Sequence, residues 1–346
     1  MRGGMVLLES MIRRLRRSLS PVVAVAALAA AACSPTPAPP AIGTSTPEEA
    51  LRLASLTDLD QRVARVAWRL SEANAGLCPS VRLSAGWALH SARQYSPALR
   101  PHAEARFGLA GHLPGVLAAP PGSPAADAGL EVGDVIVAVG GQPLAEGETA
   151  GRAEWDGLEA NVRIIDTALG EGPASFTVRH GAEVREVVVR PRRACGYEVQ
   201  LDPSDELNAR ADGRRLFIST ALAGFAETDD ELALILGHEL AHHVLGHRPW
   251  NERGGAARQA NEGAWRTAGG EGGAEQQADR VGLYLAARAG YDPAVAAPFW
   301  RRFGASNWRV RFPQVGHASA ESRARALEAV EREIGEKRRL GGELLP

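Results

Sequence analysis

The ten residues HELAHHVLGH, His238 to His247, constrain this chain more than any other stretch, because they hold four of its nine histidines. His238 and His242 stand four apart, so on a helix they share a face about 6 Å apart and converge on one tetrahedral metal. Glu239 lies next to that face, where zinc peptidases keep the general base that takes a proton from the attacking water. Thr228 followed by Glu231 is a capping-box pattern, which starts the helix near Asp229 and sets the motif well inside it. Two imidazoles do not complete a zinc site. A third protein ligand must come from elsewhere in the chain, so the fold has to bring a second element against this helix.

Two sources of that ligand are open to test by spacing. The pattern HExxHxxGxxH needs glycine at position 245 and histidine at 248, and the chain has Leu245 and Arg248 instead. The other source is EQQADRVGLYLAARAGYDP, in which Glu275 and Asp279 are four apart on one face of a helix otherwise apolar at Val281, Leu283, Tyr284 and Leu285. Acidic residues at a helix start also compensate the helix dipole. Downstream of an HExxH helix, Glu275 reads as the third ligand and Asp279 as the acceptor that orients a ligand imidazole, with the fourth position left open. The expectation is one zinc ion per chain.

At this point the sequence resembles a known family, the gluzincin peptidases related to the CAAX prenyl endopeptidase. The likeness is carried by Asn208 and Ala209, by His238 to His242, by Gly246 with His247, by Glu275 to Asp279, by AGYDP at Ala289 to Pro293, and by His317 with Arg323. It implies a zinc-dependent metalloendopeptidase in which His317 or Arg323 approaches the metal site, to steady an oxyanion or occupy the open position. The family has His-Pro before the late arginine, and here His317 is followed by Ala318. His243 and His247 are also four apart but off the ligand face, and read as structural. The Gly-rich segment between the two metal helices, with Trp250 and Trp265, reads as a flap or a disordered loop near the cleft.

A second resemblance covers about ninety residues. GSPAADAGLEVGDVIVAVGGQP, Gly122 to Pro143, is similar to PDZ domains of bacterial envelope proteases: a turn, a short helix over Ala125 to Ala128, and a buried strand over Val135 to Val139. An amphipathic helix (Glu154 to Leu169) and a hairpin (ASFTVRH, GA, EVREVVV) continue it. In that family a peptide C-terminus adds as a strand, with its carboxylate held by backbone N–H groups of a glycine loop. Phe107, Gly108 and Leu109 are the expected loop, with a plain turn as the alternative. The strand over Leu216 to Thr220 is a candidate edge for an extended substrate.

The N-terminus reads as a secretory signal: basic Arg13, Arg14, Arg16 and Arg17, an apolar stretch from Val22 to Ala32, then Cys33. Ala30, Ala31 and Ala32 before Cys33 resemble a lipoprotein processing site, although Ala30 stands where that pattern favours leucine. Acylation of Cys33 and ordinary cleavage in the alanine run both remain open, and the Pro-rich SPTPAPPA that follows suits a tether. The expected location is the periplasm, anchored to the outer membrane, or else soluble and secreted. Elsewhere no apolar run reaches 18 residues, the length of a spanning helix. Setting Cys33 aside leaves Cys78 and Cys195, either bridged, as an oxidising compartment allows, or two buried thiols.

Residues Thr57 to Ala75 place Leu59, Val63, Val66, Ala67 and Leu70 on one helical face, capped by Thr57 or Asp58. Peptidases of the resembled family begin with such a helix on the catalytic core, which implies a PDZ-like unit inserted into the peptidase domain, with Cys78 and Cys195 at its neck. The fold class is therefore α+β: a mainly helical HExxH domain with a small sheet, plus an inserted PDZ-like barrel or sandwich. The expected division is 1–32 signal, 33–48 linker, 49–103 lead-in, 104–192 PDZ-like, 193–336 peptidase and 337–346 tail. A net charge of -2 argues against nucleic acid as a main partner. The expected partners are polypeptide substrates, taken by a C-terminus or exposed strand, and a membrane through the lipid anchor. The chain reads as an envelope endopeptidase for misfolded or unassembled proteins; the alternatives are an adaptor with structural zinc or a dedicated processing peptidase.

Overall fold

The computed structural model describes residues 46–148, 150–211, 215–247, 271–306 and 318–346. Cys33, Trp250, Trp265 and His317 lie outside them, as does the whole signal-like segment. Among the described residues, no helix is long and apolar enough to cross a membrane.

The first helix, α1 (Pro47–Ala73), begins earlier than its apolar face suggests. Thr46 caps it in a full capping box with Glu49, and Pro47 fits the first turn, where no backbone N–H is needed. Thr57 is thus interior; its hydroxyl donates back to the carbonyls of Leu53 and Ala54, which frees it from any capping role. Val63, Val66, Ala67 and Leu70 enter one apolar core, while Leu53, further up the helix, enters another.

That second core belongs to a six-stranded sheet. Its main path runs β2 (Ala88–His90), β3 (Gly115–Ala118), β4 (Val135–Val139), β6 (Ala174–His180), β7 (Glu183–Val189), with β5 (Gln142–Pro143) pairing β4. Two helices, α2 (Arg100–Phe107) and α4 (Asp156–Gly170), bury Ala103, Phe107, Ile165 and Leu169 against it, and the short α3 (Pro124–Asp127) buries Ala125. The expected boundary at 104 is therefore too late. β2 pairs with β3, and Leu99 and Ala103 share the sheet's core, so the unit takes in residues from about Ala85 onward.

Before and after this sheet the chain passes through one neck. β1 (Val81–Ser84) pairs antiparallel with β8 (Arg192–Cys195), in the register Val81 opposite Cys195. Cys78 and Cys195 are joined by a disulfide, with Cα atoms 5.5 Å apart and a separation of 117 positions in sequence. Closing a loop of that length restricts the unfolded chain by about 5 kcal/mol in the chain-entropy model.

The remaining residues build the first core. β9 (Glu198–Asp202) runs parallel to β11 (Arg215–Ser219), and β10 (Ala209–Ala211) pairs antiparallel on its other side. The strand expected as a free edge is therefore the centre of this sheet, and β10 is an edge instead. Helices α5 (Thr220–Phe225), α6 (Asp229–Val244), α7 (Glu271–Arg288), α8 (Ala296–Ser306) and α9 (Ala320–Arg339) complete it. The tail beyond α9 is docked: Arg288 donates to the Leu344 carbonyl and Leu344 packs on the core.

Candidate metal centre

Helix α6 starts where expected. Thr228 Oγ1 accepts the Glu231 N–H at 3.2 Å, but the Glu231 carboxylate does not close the box in the simple way. It takes the Glu227 N–H at 2.7 Å and both Nη atoms of Arg302, at 2.8 and 2.6 Å, which ties α6 to α8. The helix is buried nearly all round from Glu231 to Gly237, so its register is fixed before the histidines begin.

Helix α7 comes close enough to complete the site because two glycines face each other. A Cβ on Gly237 would stand 2.7 Å from the Gly282 carbonyl oxygen, and one on Gly282 would stand 2.7 Å from His238 Cα and N. Backbone atoms cannot yield as a flexible side chain can, so this approach needs hydrogen at both positions. Neither glycine stands out in the sequence, since each sits inside a helical pattern and at first counts only as a weak helix former.

The approach brings together His238, His242 and Glu275, whose donor atoms all lie within 4.8 Å of one another. His238 Nε2 is 3.1 Å from His242 Nε2 and 3.5 Å from Glu275 Oε2, and His242 Nε2 is 3.6 Å from Glu275 Oε1. Bonds of about 2.0–2.1 Å at tetrahedral angles put neighbouring ligand atoms about 3.3 Å apart. The three distances bracket that value, so the donor set fits a zinc ion. Carboxylate and imidazole are also the donors that a catalytic zinc site uses with one position open.

Asp279 lies behind His238, with Oδ1 3.0 Å from Nδ1. As the acceptor of that Nδ1–H, it leaves the Nε2 lone pair facing the cluster, the orienting role expected of it. Arg323, on α9, grips Asp279 with two N–H groups: Nε to Oδ2 at 2.7 Å, and Nη2 to Oδ1. Its guanidinium carbon is 3.5 Å from the centroid of the Trp300 ring. Arg323 thus approaches the metal site, as the resemblance implies, from behind Asp279, with Nη2 3.4 Å from His238 Nδ1. It is buried and acts through Asp279, although Nη1 also stands 3.9 Å from Glu275 Oε2.

The two remaining histidines part company. His243 stacks on Tyr197, 5.9 Å between centroids, on the face of α6 away from the cluster, in keeping with a structural role. His247 lies beyond the helix end and folds back, its Nδ1 3.0 Å from His242 Nδ1 and its Nε2 3.2 Å from Gln277 Oε1. The expectation of a helix residue off the ligand face fails for it, because α6 stops at Val244.

Electrostatics follow from these contacts. Burial works against a charge on His238, but hydrogen bonds to Asp279 and Glu275 outweigh it and raise the imidazole to about 9. For His242, burial and the neighbouring His238 charge both push down, to about 3. Burial favours the neutral acid at Glu275, yet the two histidines hold it down at about 2. At Asp279 burial is likewise overcome, by the charge of Arg323 and the His238 bond, and the carboxyl stays below its ordinary range. Without metal, His238 is therefore the imidazole of the cluster that holds a positive charge at neutral pH. Glu239 is half-buried beside it and is shifted upward, chiefly by burial. A raised carboxyl suits a group that must both accept and return a proton near neutral pH.

Phe107, Gly108 and Leu109 do not form the expected carboxylate loop. Phe107 is the buried last residue of α2, and Gly108, at φ 65°, is its left-handed cap, with its N–H given to the Glu104 carbonyl. Leu109 is buried in the sheet's core. A helix end has thus taken the N–H group that a bound carboxylate would need.

No curated protein matches the chain. Two family models do: that of a PDZ domain over residues 115–153, and that of peptidase family M48 over residues 179–251. The second match covers His238, Glu239 and His242 but stops short of Glu275 and Asp279, whose place in the site rests on the geometry above. Family M48 is a zinc-dependent metallopeptidase family, so the two matches together indicate a protease that carries a protein-interaction domain.

Proposed function

We propose that the chain is a zinc metalloendopeptidase of the gluzincin type, with a PDZ-like unit inserted between α1 and the rest of the catalytic domain. The observation that carries this reading is the convergence of His238, His242 and Glu275 at tetrahedral ligand spacing, next to Glu239. The insertion is supported by the β1–β8 pair, by the Cys78–Cys195 disulfide at the neck, and by α1 residues packed in the same core as α6.

His238, His242 and Glu275 would hold the zinc ion, which would supply Lewis acidity toward a peptide carbonyl and toward water. Glu239 takes a proton from the attacking water and hands it to the departing amine, a two-way role that fits its raised pKa. Asp279, clamped by Arg323, keeps His238 in the tautomer that leaves Nε2 free. An extended substrate pairs with β10, an edge strand whose sheet packs against α6, rather than with the central β11.

In the PDZ-like unit, β2 ends the sheet with one neighbour, and Gly86 stands just before it at φ 73°. A polypeptide end or exposed strand adds along that side, which holds substrate near the catalytic cleft. The signal-like N-terminus with Cys33 suits a lipoprotein held at the periplasmic face of the outer membrane, where unassembled envelope proteins are the substrates. His317 stays a candidate for the open position on its resemblance alone.

The test is cleavage of unfolded envelope proteins by the purified, zinc-loaded chain. Glu239→Gln is expected to reduce the rate about 10²–10⁴-fold, the usual worth of a general base, with zinc still bound. Equal rates for wild type and variant would overturn the enzyme reading in favour of an adaptor with structural zinc.

A further inference from the structure

Helix α6 does not simply run out after its second ligand. The Gly246 N–H donates to the His243 carbonyl at 3.2 Å, and the His247 N–H to the His242 carbonyl at 2.9 Å. With Leu245 as C-cap and Gly246 left-handed at φ 66°, this is a Schellman ending. Its geometry returns the second residue past the cap onto the helix residue three before the cap. An apolar pair commonly fills those two places. Here they hold two imidazoles, His247 and the ligand His242, with ring centroids 5.1 Å apart.

With Gln277 Oε1 facing His247, the hydrogen bonds fit one proton arrangement. Gln277 Oε1 can only accept, so His247 Nε2, 3.2 Å away, carries the proton and donates it. In the neutral ring His247 Nδ1 is then an acceptor, and it takes the Nδ1–H of His242 at 3.0 Å. That leaves the His242 Nε2 lone pair facing His238 and Glu275. Reversing the Gln277 amide would reverse every bond and place a hydrogen on His242 Nε2, where a metal bond must form. His238 has Asp279 as its orienting acceptor; His242 has a neutral histidine held by an amide. Gln277 also sits two residues after Glu275 on α7, so the same contact ties the end of α6 to the helix that supplies the third ligand.

We propose that His247 is a positioning residue of the metal centre, which fixes the tautomer and ring orientation of His242 through a relay anchored on Gln277. The inference rests on the zinc-site reading above, and the experiment separates the two. Zinc affinity of the full chain is measured by competition with a chromophoric chelator for wild type, His247→Phe, Gln277→Leu and Gln277→Glu. Imidazole ¹⁵N shifts are recorded alongside, to read the tautomer of His242. His247→Phe keeps the ring volume but removes the acceptor, and is expected to weaken zinc binding 10–100-fold. Gln277→Leu releases the His247 tautomer and is expected to cost a smaller factor, with a mixed tautomer at His242. Gln277→Glu keeps an acceptor for Nε2–H and should retain affinity within about threefold, a rescue that a merely structural contact would not show. If wild type binds zinc and both His247→Phe and Gln277→Leu match it with an unchanged His242 tautomer, the relay is overturned while the zinc site stands. Wild type that binds no zinc would overturn both. If His247→Phe does not fold, Gln277→Leu and Gln277→Glu decide the question by themselves.

Discussion

Two buried aspartates in this molecule have nearly the same neighbours and different meanings. Asp134, in the six-stranded sheet's unit, accepts from Arg185 Nη2 at 2.7 Å and from the Glu131 N–H at 3.0 Å, and its Oδ1 is 3.1 Å from His180 Nδ1. Asp279, between α7 and α9, accepts from Arg323 and lies 3.0 Å from His238 Nδ1. Each is a carboxylate held between an arginine and an imidazole. The difference lies on the far side of the imidazole. His180 is 45% exposed, and among the described residues no set of further donors converges on it. His238 turns its Nε2 toward His242 and Glu275. An Asp–Arg–His cluster by itself is a staple for a turn, and becomes part of a metal centre only where a second helix brings more ligand atoms within bonding distance of one point.

Replacing each aspartate with alanine should separate these roles with the largest effects. Asp279→Ala strands the buried Arg323 and should cost about 3–5 kcal/mol in chemical denaturation, while Asp134→Ala leaves a partly exposed Arg185 and should cost less, about 1–3 kcal/mol. Zinc affinity should fall about 10–100-fold for Asp279→Ala alone. Equal zinc affinity in the two variants would erase the distinction.

Gly282→Ala tests what creates the convergence. The added methyl meets the backbone of His238, which should cost about 1–3 kcal/mol and move α7 away from α6. The expected readout is weaker zinc binding with no change in the sheet around Asp134, followed by amide hydrogen exchange. Protection lost equally in both regions would show that the closeness of α6 and α7 is not local to the site.

The pH dependence gives a smaller effect with a defined sign. His238 is raised to about 9, so its proton favours the folded chain fully below its unfolded pKa, near 6.5, and that contribution is lost as pH rises through 9. Zinc must displace the same proton. Apparent zinc affinity should therefore rise about tenfold per pH unit from 7 to 9 and then level off. A flat profile across that range would show that His238 is already neutral without metal.

The smallest expected effect concerns the ring beneath Arg323. A double-mutant cycle on Trp300→Leu and Arg323→Met should return a coupling of about 1–2 kcal/mol, as for a desolvated cation–π pair. A coupling near zero would leave the carboxylates of Asp279 and Glu275 to hold that guanidinium without help from the ring.

Much of the site is legible in the amino-acid sequence. His238, His242, Glu275 and Asp279 announce themselves by spacing, because i and i+4 share a helical face whatever the rest of the chain does. The strands and the turns of the PDZ-like unit are legible for the same kind of reason, since alternation and glycine at turns are local. Three things are not. The end of α6 hides His247, whose helical spacing from His243 points the wrong way once Gly246 breaks the helix. Gly108 and Phe107 look like a binding loop, but α2 runs into them and takes the N–H as a cap. The strand over Leu216 to Thr220 reads as an edge, but β11 has β9 and β10 paired on both its sides.

Local periodicity and side-chain type show which side chains have metal chemistry, and that two helices must meet to use it. The order of residues in the chain also sets Cys78 and Cys195 on either side of a long segment. How near the helices come is set by packing in three dimensions, through Gly237 against Gly282. The same packing aims Arg323 at Asp279 and His247 at His242. Those outcomes depend on contacts between residues far apart in the chain, where a few tenths of an ångström separate a ligand set from a hydrogen-bonded surface.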